Sequence, residues 1–210
     1  GRLRGDQMAN PADPASWGYC RLLGGKVDGK PLTGHVGEDE TVYWFTLPRA
    51  VAPGESLQVE LTWQSRFPKV FARSGWAGNF LMAGQWFPKV GVYQGDRWNC
   101  HAYHAFTEFF SDFGTYDVTL SVPNTLLVAH TGTAVEQKGP DGKLYDALDD
   151  PKRANHRRWQ LHAEDVHDFA FAVKPKLDWS WRRFDYRDVQ VFYYYESRTS
   201  DNLPRQRRAI

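Results

Sequence analysis

The sequence lacks several features that would place it in a large class of proteins. Its 210 residues contain no run approaching the ~18 apolar residues that a membrane-spanning helix needs. The opening stretch, GRLRGDQMANPADPASWGY, has no apolar core of a secretory signal peptide and no initiator methionine. We therefore expect the chain to be an excised piece of a longer protein, with any targeting information lying elsewhere in that protein.

Cysteine is scarce, and neither sign of charge is in excess. Cys20 and Cys100 are the only cysteines, so they form one disulfide or none, and this number does not diagnose a redox compartment. The 26 basic and 25 acidic residues nearly balance. A chain without a basic excess lacks the bulk attraction that drives binding to phosphate backbones, so we expect no nucleic-acid partner.

Helical periodicity is also missing, and a two-residue alternation takes its place. No window repeats its apolar residues every 3.6 positions, whereas SLQVELTWQS and YDVTLSVP alternate apolar and polar residues. Aromatic residues, which favour strands, make up 15% of the chain. Strand patterns separated by Gly, Pro, Asn and Asp are typical of a β-sandwich. We predict an all-β fold, a saddle-like β-sandwich of mostly antiparallel strands.

Further strands are predicted in ETVYWFTLP, TLLVAHTGTAVEQ, RRWQLHA, FAFAV and DVQVFYYYES. ETVYWFTLP is apolar on both faces, which predicts a strand covered on two sides. GPDGK predicts a hairpin turn in which Asp141 and Gly142 adopt positive φ. The first forty residues are predicted to be irregular connections. Residues 1–202 form one β-domain, truncated at its start, and residues 203–210 begin a helix at Pro204.

The stretch WNCHAYHAFTE has the composition of a metal site. Cys100, His101, His104 and Glu108 lie within eleven residues, and these residue types are zinc ligands. The zinc-peptidase motif H-E-x-x-H needs a glutamate directly after its first histidine, to act as general base. Ala102 follows His101, and no other histidine of the chain begins the motif. We predict no metal ligand here and a structural role for these side chains.

Two further stretches are candidates for chemistry. HAEDVHDF brings Asp165, His167 and Asp168 together, but a carboxylate–imidazole pair needs a nucleophile that the sequence does not identify. A turn with aspartates bonded to the backbone accounts for the same residues, so we predict no catalytic residue. GQWFPKVGVY is either an exposed aromatic platform for sugars or part of the core, and the core is the more common role of such a run.

Several long segments resemble a known family. SRFPKVFARSGWAGNFLMAGQWFPKVGVY and WNCHAYHAFTEFFSDFGTYDVTLSVPNTLLVAHTG resemble the N-terminal β-domain of bacterial zinc aminopeptidases of the aminopeptidase N family, which are gluzincin metallopeptidases. VAPGESLQVELTW and HAEDVHDFAFAV resemble other parts of that domain. The resemblance runs from Gly18 to Ile210 and so spans nearly the whole chain.

The resemblance implies a non-catalytic role for this chain. In the family, a thermolysin-like catalytic domain follows the β-domain and carries H-E-x-x-H, a distant glutamate ligand and a Gly-x-Met-x-Asn motif, none of which occurs here. Zinc would then belong to the parent enzyme, and this chain would hold no cofactor. In several members a glutamine of the β-domain holds the peptide amino terminus. Gln85 is the candidate here, although the family's usual glutamine lies further upstream, where this sequence has Ala77 to Asn79.

The function implied is to shape the substrate cleft of a full-length aminopeptidase. The partners would be the chain's own catalytic domain and a peptide substrate, and the chain alone would hydrolyse nothing. Some relatives are fused to membrane transport segments, which favours a cell-envelope or membrane-associated parent. Two alternatives stay open: a self-standing aromatic-rich β-sandwich that binds carbohydrate or protein, and a peptidase-like interaction scaffold without catalysis.

Overall fold

The computed structural model describes residues 13–38, 40–69, 73–101 and 110–197. Apart from a short 3-10 turn at Pro14–Ser16, the regular structure in these ranges consists of strands, which confirms the predicted all-β class. In chain order they are β1 (Tyr19–Val27), β2 (Lys30–Pro31), β3 (Gly34–Val36), β4 (Tyr43–Phe45), β5 (Val59–Arg66), β6 (Gly75–Ala77), β7 (Phe80–Ala83), β8 (Val92–Gln94), β9 (Arg97–Asn99), β10 (Gly114–Pro123), β11 (Leu126–His130), β12 (Thr133–Ala134), β13 (Gln137–Lys138), β14 (Leu144–Tyr145), β15 (Ala147–Asp149), β16 (His156–Val166), β17 (Phe171–Pro175), β18 (Trp179–Tyr186) and β19 (Val189–Glu196). The described residues contain no helix long and apolar enough to cross a membrane. The predicted domain boundary near residue 202 and the helix start at Pro204 lie outside the described residues.

The strands form three larger sheets and several separate hairpins. The larger sheets have the orders β2-β1-β5, β10-β16-β12 with β15 also pairing β16, and β11-β17-β7-β6. The hairpins are β3-β4, β8-β9, β13-β14 and β18-β19. Each of these pairings is antiparallel, as the sequence patterns predicted.

The hydrophobic core lies between the second and third of these sheets. One cluster of buried residues joins Val122 of β10 to Val128 and Val173 of β11 and β17. A second cluster joins Leu161 and Ala163 of β16 to Phe169. Leu120 and Trp159 pack against both clusters, so the core is continuous across the two sheets. The loop that carries Phe169 is therefore anchored at the centre of the molecule.

The strands with the clearest alternation fold as predicted. In β5 every second side chain is half-buried, starting with Val59, and the residues between are exposed. In β10, Val118, Leu120 and Val122 face inward while Asp117 is exposed. Burial of alternate side chains on one face of a sheet is the physical basis of this two-residue pattern. The GPDGK segment forms the β13-β14 connection, with positive φ at Gly142 (+80°) and not at Asp141.

Two sequence predictions about the early part of the chain are wrong. The described part of the first forty residues is not irregular throughout, because Tyr19–Val27 forms a nine-residue strand followed by β2 and β3. Exposed Lys and Arg side chains and paired glycines hide the alternation in β1, since most of its residues lie at the surface. ETVYWFTLP is not a strand covered on two sides, because only Tyr43–Phe45 of it is a strand, β3 is its one partner strand among the described residues, and Trp44 stays 39% exposed.

Candidate functional site

Two of the stretches that stand out in the sequence meet in space. Residues 84–89, which we call the Gln85 loop, follow β7, and residues 167–169, which we call the Asp168 segment, precede β17. β7 and β17 are neighbours in one sheet, with Phe171 paired to Ala83. The end of one strand and the start of its antiparallel neighbour lie at the same end of the sheet. The sheet itself therefore brings the loop and the segment together.

The Asp168 carboxylate holds the Gln85 loop from two sides. Its Oδ2 accepts a hydrogen bond from the backbone N–H of Gln85 at 3.0 Å. Its Oδ1 lies 2.8 Å from Lys89 Nζ and forms an ion pair with it. The angles of this contact do not meet those of a hydrogen bond. Lys89 Nζ also donates to the carbonyl of His167 at 2.9 Å. Both side chains are less than one-fifth exposed, so solvent screens the pair less than it screens a surface ion pair.

Gln85 is fixed in an unusual backbone conformation. Its φ is +51°, in the left-handed region that side-chain-bearing residues rarely adopt. The hydrogen bond from its N–H to Asp168 holds the backbone in that conformation, and strained positions of this kind persist only where their surroundings determine them. Its side-chain amide is half-buried and forms no hydrogen bond within the described part of the chain. The backbone of Gln85 is therefore fixed, while its side-chain amide has no hydrogen-bond partner among the described residues.

The aromatic rings of Trp86 and Phe87 pack the Gln85 loop against the interior of the protein. Trp86 donates its indole N–H to the carbonyl of Phe169 at 2.9 Å, and its ring meets Phe171 edge-on at 5.5 Å. Phe87 meets Tyr116 at 5.9 Å and packs on the core cluster around Phe169. The first part of GQWFPKVGVY, with Trp86 and Phe87, therefore packs on the interior, whereas Val90 and Tyr93 in its second part are 71% and 58% exposed. Burial and the negative charge of Asp168 both raise the pKa of Tyr116.

The arrangement does not bring a nucleophile to the carboxylate–imidazole pair that the sequence suggested. The oxygens of Asp168 face the Gln85 loop, whereas the exposed His167 ring lies 5.5 Å from the ring of Phe113. Asp165 has a φ of +53° within β16, at the register shift between the pairs Tyr116–Ala163 and Gly114–Val166. The Asp168 segment therefore holds the Gln85 loop in place through hydrogen bonds and an ion pair.

The cysteine and histidine cluster is described only in part. Cys100 is half-buried against Gly91, where an added Cβ would overlap Sγ, and His101 is exposed. His104 and Glu108 lie outside the described residues. Cys20 and Cys100 are not joined by a disulfide. Within the described ranges, no three His, Cys, Asp or Glu side chains are grouped closely enough to hold a metal ion.

His162, which lies outside the Gln85 loop, has a pKa that two neighbouring carboxylates raise. His162 Nδ1 lies 2.7 Å from Asp117 Oδ1 and its Nε2 lies 3.3 Å from Glu164 Oε1. The hydrogen bonds to Asp117 and then Glu164 raise the pKa of His162 above 6.5. Because the folded pKa is raised, the stabilisation is complete below the unfolded pKa and is lost as the pH rises through the folded pKa.

We expect Asp117→Asn to lower the pKa of His162, because the neutral amide no longer favours the charged ring. The measurement is an NMR titration of the imidazole protons of His162 in both proteins. Asp149→Asn removes another exposed carboxylate and serves as control, with no change expected in the His162 titration. Equal pKa values of His162 in the wild type and in Asp117→Asn would contradict the assignment.

No protein-family model, curated protein or solved structure matches this chain. The all-β class therefore rests on the strands themselves, and the resemblance to aminopeptidases stays a prediction.

The sequence reveals some of this site and hides the rest. Gln85 followed from the resemblance, and His167 and Asp168 stood out from their local sequence. Lys89 did not, and its only signal is a lysine placed directly after the Phe-Pro pair in an apolar run. The contact between the loop and the segment joins residues more than eighty positions apart, for which a single sequence carries no signal.

Proposed function

We propose that this chain is a non-catalytic β-domain of a zinc-dependent aminopeptidase and that Gln85 contacts the amino terminus of the peptide substrate. The observation that supports the proposal is the Gln85 amide, which extends from a backbone fixed by Asp168 and has no partner of its own within the described residues. Zinc and the catalytic groups would be supplied by a separate catalytic domain, which would also complete the substrate cleft.

The chemistry of an amide suits this role. The side-chain carbonyl oxygen of glutamine accepts a hydrogen bond from an ammonium group, and a charged donor makes such a bond stronger. A fixed backbone reduces the entropy lost on binding, because fewer torsions of the protein remain to be ordered. The Asp168 carboxylate is already paired with Lys89, so it does not compete for the ammonium group. Recognition would therefore depend on the amide of Gln85.

The carbohydrate alternative receives less support from the aromatic geometry. A flat sugar platform needs exposed rings that share a plane. The rings of Tyr93 and Trp98 are inclined at 71°, and those of Trp181 and Phe192 at 44°. The nearly parallel pair Tyr193 and Tyr195, inclined at 16°, is half-buried. None of these three pairs offers a flat exposed face.

We expect the side-chain amide resonances of Gln85 to shift when trialanine with a free amino terminus is added, and not with N-acetyl-trialanine. With a single protein group in contact, the dissociation constant should be on the order of millimolar. The measurement is a ¹⁵N-correlated NMR titration of the 210-residue chain. Gln85→Ala should abolish the shifts of its neighbours, and Gln94→Ala, at an exposed position of β8, is the matched control.

Equal shifts with the two peptides, or none with either, would contradict a role for Gln85 in amine recognition. The same sample with zinc added is expected to hydrolyse no aminoacyl anilide. Metal-dependent turnover would contradict the assignment of a non-catalytic domain.

A further inference from the structure

A cleft separate from the Gln85 loop lies beside β1. It has a volume of about 970 Å³ and runs between β1 and the β3-β4 hairpin. Its apolar lining comes from Leu22 of β1, Leu32, Val36 and Tyr43. Ligand sites in proteins are commonly about 300–1,000 Å³ in volume, so the cleft is large enough for a peptide segment. Its lining does not include Gln85.

One wall of this cleft is an open strand edge. On one side, β1 pairs with β5 over its full length, from Tyr19 to Val27. On its other side β2 pairs only with Lys26 and Val27, and the N–H of Leu32 then bonds to Gly25. Among the described residues no strand pairs with that edge between Tyr19 and Gly24. Those backbone N–H and C=O groups of this stretch that do not bond to β5 therefore lack strand partners within the described residues.

An open edge of this kind is a template for a further strand. Proteins usually block long open edges with charges, prolines or covering elements, because the unpaired groups recruit other chains. Here the cleft lies between this edge and the facing β3-β4 hairpin, and residues of both line it. In β-strand addition, backbone hydrogen bonds supply affinity and every second side chain of the ligand enters a pocket. The apolar lining would receive those alternate side chains.

The charges at the hairpin end of the cleft select the ligand. Glu38 and Glu40 line it, both are exposed, and neither forms an ion pair within the described part of the chain. Arg21, the basic residue in the lining, lies on the opposite wall with its guanidinium 5.0 Å from the centre of the Tyr19 ring. Two unpaired carboxylates favour a cationic ligand at the hairpin end.

We propose that the cleft binds an extended peptide as an additional strand on the Tyr19–Gly24 edge of β1. The peptide carries apolar residues at alternate positions and lysine or arginine between them, with its cationic side chains reaching Glu38 and Glu40. The ligand's own termini take no part. The site is thus independent of amino-terminal recognition at Gln85, and its interactions go beyond the function proposed above.

The test uses a peptide of alternating valine and lysine, acetylated at its amino terminus and amidated at its carboxyl terminus. Hydrogen exchange of the full chain should slow, when the peptide is added, at those backbone amides between Tyr19 and Gly24 that do not bond to β5. Two peptides are compared, one N-methylated at its odd-numbered residues and one at its even-numbered residues, and these are the two phases. Binding should weaken about 10-fold in one phase only, because only alternate N–H groups of the peptide face the edge. A peptide with glutamate in place of lysine should bind more weakly.

Protein variants separate the charges from the edge. Glu38→Gln with Glu40→Gln should weaken binding of the valine–lysine peptide about 3- to 10-fold, as expected for the loss of two exposed ion pairs. The control is Glu136→Gln with Asp96→Asn, which removes two exposed carboxylates elsewhere, one of them at a positive-φ position like Glu40. Gln85→Ala should leave the affinity for the peptide unchanged.

Three results would overturn the proposal. The first is an equal loss of affinity in the Glu38/Glu40 variant and its control. The second is an equal effect of N-methylation in both phases, which would mean that no strand pairing occurs. The third is slow exchange, before any peptide is added, of those amides between Tyr19 and Gly24 that do not bond to β5, which would mean that another part of the chain already covers the edge. Failure of the Gln85 titration would leave these measurements unaffected.

Discussion

Replacing Phe169 with alanine is expected to lower the free energy of unfolding by about 3–5 kcal/mol. Phe169 is 0% exposed and belongs to the core cluster with Leu161 and Ala163. The substitution removes the buried ring and leaves a cavity beneath the Gln85 loop, because Phe87 and Tyr116 pack against the same cluster. Urea unfolding followed by tryptophan fluorescence measures the loss.

The matched control for this change is Phe113→Ala. Phe113 is 70% exposed, and its ring contact is with the exposed His167. Removing it should cost less than about 1 kcal/mol, since surface substitutions rarely exceed that value. If the two alanine variants unfolded at the same urea concentration with equal slopes, Phe169 would not occupy the centre of the core.

Replacing Asp168 with alanine is expected to lower the free energy of unfolding by about 2–4 kcal/mol, because it leaves a largely buried ammonium group without its counter-ion and the backbone N–H of Gln85 without its acceptor. The Lys89 side chain is 19% exposed and that of Asp168 is 17% exposed. The value lies below that of a fully buried pair because some solvent reaches both groups. Urea unfolding at neutral pH measures it.

A double-mutant cycle attributes this loss to the ion pair. Lys89→Met removes the charge but keeps the aliphatic length of the lysine. Because each single change already breaks the ion pair, the double variant should be destabilised by less than the sum of the two single changes. Glu136→Ala removes an exposed carboxylate without a described partner and should change stability by no more than about 0.5 kcal/mol. Strict additivity in the cycle would rule out coupling between Asp168 and Lys89.

The sequence predicted those strands whose one face is buried. β5 and β10 lie with one face on other parts of the protein, so solvent and core impose a two-residue alternation on Val59, Leu61, Val118 and Leu120. β1 and β18 were missed for the opposite reason. Most side chains of β1 and of β18 are exposed, so burial imposes no alternating pattern on their residue types.

Three residues of the candidate site were singled out from the sequence, whereas Lys89 and the arrangement of the four residues were not. Gln85 followed from the resemblance, and His167 and Asp168 followed from their local composition. Their contact depends on the pairing of β7 with β17, which no local pattern specifies. The cleft beside β1 was not predictable at all, because the strand that forms its wall was itself not predicted.

The pairing of β10 with β16 has a consequence for how this chain acquires its structure. Gly114 pairs with Val166 and Pro123 with His156, so the two strands close a loop of more than 30 residues. The entropy of closing that loop must be lost before the sheet's contacts repay it, and chains dominated by such distant pairings fold in about milliseconds to seconds. The hairpins β13-β14 and β18-β19 close locally and are free of this delay. The centre of the core therefore forms on a slower timescale than the local hairpins.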